Sequence, residues 1–314
     1  MRSFLISLCL LLSLSPVFSS GGKETSPSGG GNPSREKLSV FVTIPPLAYL
    51  ADRIGGEYVR TESLVSGNDD PHTYQLKPSQ VMALGGADVY FIVGLGYEEA
   101  FLPSLREALP GLAVADLSDG VDLIPFAGEH DHPGEGEPGE DEHGEEADHH
   151  HENPWDPHIW LGIPQAVAMA DHIREELTAR LPEHRDLFQA NFEAFRAAAE
   201  ALDRETATLL APLKGSLFFV FHQAFGYFAG SYGLVQEAVE TGGREPSPRQ
   251  VEALIRRAEE EQVRAIFVQP QFSQASAGVI ARAIGGRVVS LDPLAYDWAD
   301  NLRRMARAVA GGGQ

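Results

Sequence analysis

Cysteine is nearly absent from this sequence, which contains only Cys9 among 314 residues. A disulfide scaffold and the zinc sites built from two or four thiolates are therefore excluded. Basic residues are also scarce, because 24 Lys and Arg stand against 45 Asp and Glu, and the formal net charge is -21. Nucleic-acid binders need basic side chains to neutralise phosphates, so this balance argues against a nucleic-acid partner.

Apolar stretches that could span a bilayer, which takes about 20 residues, are missing too. The most apolar run, residues 4–14, is shorter and lies near the start of the chain, as in a secretory signal peptide. The small residues Val17 and Ser19 predict cleavage after residue 19, which would remove Cys9 and leave an exported protein, periplasmic or on the extracellular face. Residues 20–37, rich in Gly, Ser and Pro, are expected to form a flexible leader. A membrane anchor and a lipoprotein attached at Cys9 are the alternatives.

Predicted strands and helices alternate along the chain from residue 38 onward. The predicted strands cover residues 38–44, 58–65, 89–93, 113–117, 217–221, 265–268 and 288–291. The predicted helices between them cover residues 47–54, 78–84, 101–109, 247–261 and 276–284. This alternation predicts an α/β fold of two lobes, each a mostly parallel sheet flanked by helices.

Two longer helices are predicted in the middle of the chain, one from Pro164 and one over residues 183–211. Apolar residues of the second helix recur in steps of four and three, the spacing of a single helix face. They are Phe188, Phe192, Phe195, Ala199, Leu202, Thr206 and Leu209. At 1.5 Å per residue this helix would be about 43 Å long, so we expect it to link rigidly an N-terminal lobe, residues 38–182, to a C-terminal lobe, residues 212–314.

Histidine is unevenly distributed. Residues 129–152 contain 11 acidic residues, no basic ones and six of the 11 histidines, namely His130, His132, His143, His149, His150 and His151. Like charges and many glycines predict a mobile loop, which is either a solvated spacer or a second, weaker zinc-collecting site. Two further histidines, His172 and His184, lie among acidic residues in the helical middle and are expected on solvated helix surfaces.

The three remaining histidines occupy a different setting. His222 directly follows a predicted strand, and Asp292 follows another. His72 lies in a loop after a third strand, and both His72 and His158 are preceded by Asp-Pro. The carboxyl edge of parallel strands is where ligands bind in open α/β sheets. Three imidazoles and a carboxylate suit four-coordinate zinc, and the prolines fix the backbone before two of these side chains.

These residues belong to a set of motifs that resembles a known family, the metal-binding receptors of bacterial ABC importers for zinc and manganese, also called cluster A-I solute-binding proteins. The zinc-uptake branch is the most similar, and a His-rich acidic insertion before the second metal histidine is typical of that branch. The resemblance extends from residue 38 to the C-terminus. Its motifs are Ile-Pro-Pro (44–46), Pro-His-Thr-Tyr-Gln-Leu-Lys-Pro-Ser-Gln (71–80), Asp-Pro-His-Ile-Trp-Leu (156–161), His-Gln-Ala-Phe-Gly-Tyr-Phe (222–228), Glu-Pro-Ser-Pro (245–248), Pro-Gln-Phe (270–272) and Leu-Asp-Pro-Leu (291–294).

The resemblance implies a receptor of two lobes joined by a rigid helix, with Zn²⁺ as transported ligand at their interface. The implied ligands are His72, His158 and His222, with Asp292 as fourth ligand or near neighbour. The manganese members have Glu at the position of His222, and imidazole shifts the preference toward zinc. The implied partner is the membrane permease of an ABC transporter, and the receptor is expected to act as a monomer.

Two positions depart from the pattern of many zinc receptors. An acidic residue often comes just before the first metal histidine, where this chain has Pro71 with Asp70 one position earlier. Glu often precedes the Pro-Gln-Phe motif, where this chain has Gln269. If either carboxylate normally completes or supports the metal site, Asp292 or water takes that role here.

Other function classes remain as alternatives. A manganese receptor of the same family is the nearest of them. A metal-dependent hydrolase would need a general base such as the Glu of His-Glu-x-x-His, and that pattern is absent from the sequence, so no enzyme is expected. A receptor for an organic ligand and an exported adhesin with incidental zinc are the remaining classes.

Overall fold

The computed structural model of the protein describes residues 37–126, 154–240 and 244–312, except for the side chain of residue 97. The predicted signal peptide, nearly all of the predicted leader and the His-rich loop at 129–152 lie outside the described residues. Within the described part of the chain, no helix combines the length and the apolarity that a membrane crossing requires.

The first half of the described chain forms a parallel four-stranded sheet, as predicted. Its strands are β1 (Leu38–Val42), β2 (Val59–Ser63), β3 (Val89–Ile92) and β4 (Val114–Asp116), in the order β2-β1-β3-β4. Its connecting helices are α1 (Pro45–Gly55), α2 (Pro78–Leu84) and α3 (Gly96–Ala108). Because the chain leaves β1 toward one edge and β3 toward the other, the strand order reverses between these two strands.

The last third of the chain repeats this topology. Its strands are β5 (Leu217–Val220), β6 (Val235–Ala238), β7 (Ala265–Val268) and β8 (Arg287–Ser290), all parallel and in the order β6-β5-β7-β8. The strand order therefore reverses between β5 and β7. The helices are α6 (Gly226–Tyr232), α7 (Pro248–Glu260), α8 (Ala275–Ala283) and α9 (Trp298–Gly312). Neither β6, α6 nor α9 was predicted. Strand β6 lacks an apolar alternation, and α6 is a single short helix with two glycines.

Two long helices connect the sheets, α4 (Ile163–Arg180) and α5 (Arg185–Leu210). Helix α5 packs against α1, α4 and α9. Six of its seven predicted core positions are buried, but the seventh was wrong, because Leu209 is 38% exposed and Leu210 is buried instead. Strict steps of four and three follow a period of 3.5 residues, whereas a straight helix turns every 3.6, so the buried stripe drifts by one position along the helix.

Two indole groups join the segment after His158 to the segment after β8. The ring N–H of Trp160 donates to the carbonyl oxygen of Pro293 at 2.8 Å. The ring N–H of Trp298 donates to the carbonyl oxygen of Trp160 at 2.6 Å. Both indoles are buried, so each has its single donor satisfied by backbone. The two bonds therefore hold these two segments of backbone together.

The carboxylate of Glu98 is buried where the strand order of the first sheet reverses. It accepts hydrogen bonds from the backbone N–H groups of Val93, at 3.1 Å, and Leu95, at 2.8 Å. The hydroxyl of Thr43 donates to the same carboxylate. Of these donors, Val93 directly follows β3 and Thr43 directly follows the neighbouring strand β1. Despite these donors, burial raises the pKa of Glu98 to about 7.

Replacement of Glu98 by Gln tests this burial. Since the folded pKa of about 7 exceeds the reference value of 4.5, the stability that this group contributes is fully present below pH 4.5. It is lost as the pH rises through 7, by up to about 3 kcal/mol. Denaturant unfolding at pH 5 and at pH 8 measures the free energy of unfolding. We expect this free energy to fall less between pH 5 and pH 8 in Glu98→Gln than in the wild type. Exposed Glu107→Gln, on the same helix, serves as control, and identical losses in all three proteins would contradict the prediction.

Candidate metal centre

Three imidazole rings from separate parts of the chain meet beside the second sheet. His72 lies in the loop after β2, His158 precedes a short 3-10 turn (Ile159–Leu161), and His222 follows β5. Their Nε2 atoms lie 3.2 Å apart for His72 and His158, 3.2 Å for His72 and His222, and 3.3 Å for His158 and His222. All three rings therefore present the same nitrogen to one point.

Asp156 holds His158 in this orientation. Its Oδ1 atom accepts hydrogen bonds from the backbone N–H of His158 at 2.9 Å and from the ring Nδ1 at 2.7 Å. Both residues are buried, since Asp156 is 3% exposed and His158 is 2% exposed. A carboxylate only accepts, so the proton sits on Nδ1 and the Nε2 lone pair points into the cluster, which is the tautomer that binds metal.

His222 is oriented by the ends of the strands beside it. Strand pairing places Val220 opposite Ala238 of β6 and Phe267 of β7. Two residues further along each strand come His222, Glu240 and Gln269, in one row across the sheet end. The Glu240 carboxylate accepts from Nδ1 of His222. The buried Gln269 amide accepts from the His222 backbone N–H at 3.2 Å and donates to its carbonyl at 2.6 Å.

His72 is held by the same local turn as His158, because its backbone N–H donates to Oδ1 of Asp70 at 3.0 Å. The other oxygen of Asp70 accepts from the hydroxyl of Thr73 at 3.0 Å. The two Asp-Pro-His tripeptides thus form equivalent turns, in which the carboxylate lies two residues before the histidine. His72 is half-buried, whereas the other two histidines are buried.

The spacing of the three nitrogens fits a zinc ion. With Zn–N bonds of 2.0–2.1 Å and tetrahedral angles, three ligand nitrogens lie about 3.3–3.4 Å apart. The observed 3.2–3.3 Å spacing lies close to that value. Burial lowers the pKa of His158, so this imidazole is neutral and available as a ligand at neutral pH.

The other predicted site residues lie elsewhere. Asp292 is not part of the group of metal-ligating atoms within 4.8 Å of one another. Its Oδ1 atom accepts from Nε2 of Gln271 at 3.0 Å and from the backbone N–H of Leu294 at 2.9 Å. His172 is half-buried on α4. His184 is not a solvated surface side chain, because its ring stacks on that of Tyr58 with centroids 3.8 Å apart.

Three residues that orient the histidines were missed by the sequence analysis. Asp156 could have been found, because it stands two positions before His158 in the tripeptide that was singled out. Gln269 was noticed only as a departure from the family pattern. Glu240 follows β6, a strand that was not predicted, so no sequence signal placed it beside His222.

The geometry can be compared with known proteins. The family pattern described as "Zinc-uptake complex component A periplasmic" (ZnuA) matches residues 40–312. The chain belongs to this family. A solved structure described as "Crystal structure of ZnuA" superposes with a TM-score of 0.79 at 36% identity, covering 89% of this chain and 100% of that one.

Two curated proteins are similar to this chain over most of its length. The high-affinity zinc uptake system protein ZnuA of Yersinia pestis is 30% identical over 263 residues, 82% of this chain and 83% of that protein. The zinc-binding lipoprotein AdcA of Streptococcus pneumoniae is 30% identical over 260 residues. This match covers 82% of this chain, and the chain spans about half the length of AdcA, 50%.

Removal of the charge on Asp156 or Glu240 tests their orienting role. We expect Asp156→Asn and Glu240→Gln each to weaken zinc binding roughly tenfold, within the 10- to 100-fold range for partners of metal ligands. Competition with a fluorescent zinc chelator measures the affinity. The exposed Asp119→Asn provides a matched control, and unchanged affinity in both site variants would contradict the assignment.

Proposed function

We propose that this protein is an extracytoplasmic receptor that captures Zn²⁺ and delivers it to the membrane permease of an ABC-type importer. The observation that carries the proposal is the meeting of Nε2 of His72, His158 and His222 within 3.3 Å of one another. Membership of the zinc-uptake family supports the transport role, and the names of the two curated relatives support zinc as the ion.

The donor set favours zinc over manganese. Imidazole suits Zn²⁺, whereas Mn²⁺ prefers carboxylate, carbonyl and water oxygens. In the part of the chain that the structure describes, the clustered metal-ligating atoms are three histidine nitrogens. We therefore assign His72, His158 and His222 as the ligands. The manganese receptor remains the second candidate, since it differs only in the ion.

Export and delivery complete the proposal. The predicted signal peptide at 1–19 would bring the receptor outside the cytoplasm, where the site collects zinc and the permease receives it. The lobes at residues 38–182 and 212–314, with the linking helix at 183–211, hold the three ligands from opposite sides. The His-rich loop at 129–152 would add a weaker collecting site. We expect capture and release without bond-breaking chemistry.

Replacement of each ligand by Ala tests the site. We expect His72→Ala, His158→Ala and His222→Ala each to weaken zinc binding by at least about 100-fold, because one of three metal bonds is lost. Calorimetry of the mature protein with Zn²⁺, and in competition with Mn²⁺, measures the effect. His172→Ala, on α4, is the control. Equal affinity for the two ions in the wild type would favour the manganese receptor.

Zinc affinity is also expected to depend on pH. The ligands must be neutral to bind, so affinity should fall as the pH drops below about 6, near the imidazole pKa. Because burial lowers the pKa of His158, that ring resists protonation further than an exposed one. Calorimetry at pH 7.5, 6 and 5 checks this, and a constant affinity over that range would rule out a site of three histidines.

A further inference from the structure

Gln271, rather than Asp292, lines the cleft beside the three rings. Among the described residues, Gln271 lines this cleft together with Asp70 and the three histidines, whereas Asp292 does not. Asp292 contacts the cleft indirectly, through its hydrogen bond with Gln271. Of these two side chains, the one that reaches the cleft is therefore the Gln271 amide.

The orientation of the Gln271 amide is fixed by its neighbours. Its Nε2 atom donates to the carbonyl oxygen of Gly67 at 2.6 Å and to the Asp292 carboxylate at 3.0 Å. Both partners only accept, so the nitrogen, with its two protons, must face them. The Oε1 atom is then left buried and without a hydrogen-bond partner among the described residues. A buried acceptor without a donor is unfavourable by about 1–3 kcal/mol.

A zinc ion held by three histidines has one open position, which water usually fills. A metal-bound water is a strong donor and needs an acceptor. Around this cleft, Ala224, Phe272, Pro293 and Leu294 offer no polar side chain. Each oxygen of Asp70 accepts one hydrogen bond, from the His72 backbone N–H or from the Thr73 hydroxyl, so neither oxygen is left without a donor. Gln271 is the lining side chain whose acceptor is unused.

We propose that Gln271 is a positioning residue whose Oε1 atom accepts a hydrogen bond from the water on the bound zinc. The inference rests on the proposed function, since it requires the ion. Through Nε2, the same amide holds Gly67, in the loop that carries His72. Metal occupancy, the fourth coordination position and the placement of this loop are thereby linked by one side chain.

The test uses the full mature protein with Gln271→Leu, which removes donor and acceptor at similar size. Gln274→Leu, an exposed position three residues away, is the matched control. Zn²⁺ affinity is measured by chelator competition. Azide is then titrated into the Co²⁺-loaded proteins and followed by visible absorption, because azide replaces the water but cannot donate to Oε1.

The expected result has two opposite parts. Gln271→Leu should bind Zn²⁺ about tenfold more weakly, because the water loses its acceptor, yet bind azide more tightly than the wild type. The control should match the wild type in both. Weaker zinc binding with unchanged azide affinity would indicate loop positioning alone and overturn the proposal, and so would no change in either. If Gln271→Leu does not fold, Gln271→Met carries the same expectation.

A crystal structure of the zinc-loaded wild type gives a direct check. We expect a water on the metal within hydrogen-bond distance of Oε1, about 2.5–3.0 Å. An amide oxygen bound directly to zinc would overturn the proposal. A wild-type protein that binds neither Zn²⁺ nor Co²⁺ would instead refute the proposed function itself.

Discussion

The structure depends on keeping three imidazole lone pairs pointed at one place. Nitrogen atoms 3.2–3.3 Å apart repel one another unless a proton or a cation lies between them. Such an arrangement persists only if each ring is held from its far side. Carboxylates at Nδ1 of His158 and His222 do this, and backbone turns at the two Asp-Pro-His tripeptides fix where the rings begin. The surrounding fold supplies these supports, and a cation removes the repulsion.

The second sheet supplies its share through strand register. Parallel strands β6, β5 and β7 end side by side, so that one row past their ends contains Glu240, His222 and Gln269. This row lies where the strand order reverses, the usual ligand position in such sheets. The first sheet uses its equivalent position differently. There the Glu98 carboxylate accepts hydrogen bonds from Thr43 and Val93, the residues that follow β1 and β3, and so fills the position between the two strand ends. His72 and His158 come from loops instead.

The sequence was sufficient for the fold class and for singling out three histidines whose rings meet in the structure, but it was insufficient for the side chains that orient them. Alternating strands and helices imply parallel sheets, and side chains that follow such strands share an edge, so His222 could be placed from its own neighbourhood. The contact between His222 and Glu240 depends on β6, whose residues Val-Gln-Glu-Ala show no strand periodicity. The burial of Leu210 where Leu209 was predicted depends on the helical period of 3.6 residues. Asp292 follows a strand, as expected of a residue at the carboxyl edge of the sheet, but Gln271 lines the cleft in its place. That outcome depends on packing between loops that are distant in the sequence.

The arrangement of supports suggests why an ion can leave as well as bind. Two of the proposed ligands, His158 and His222, are buried and hydrogen-bonded to carboxylates through Nδ1. His72 is half-buried, and its loop is tied to the second lobe by the Gln271 amide through Gly67. The indole bonds of Trp160 and Trp298 hold the backbone after His158 against the segment after β8. A movement of the His72 loop would therefore open the site while two ligands stayed in place. That division suits the proposed receptor, because all three ligands contribute to affinity while withdrawal of His72 alone would remove one metal bond and begin release.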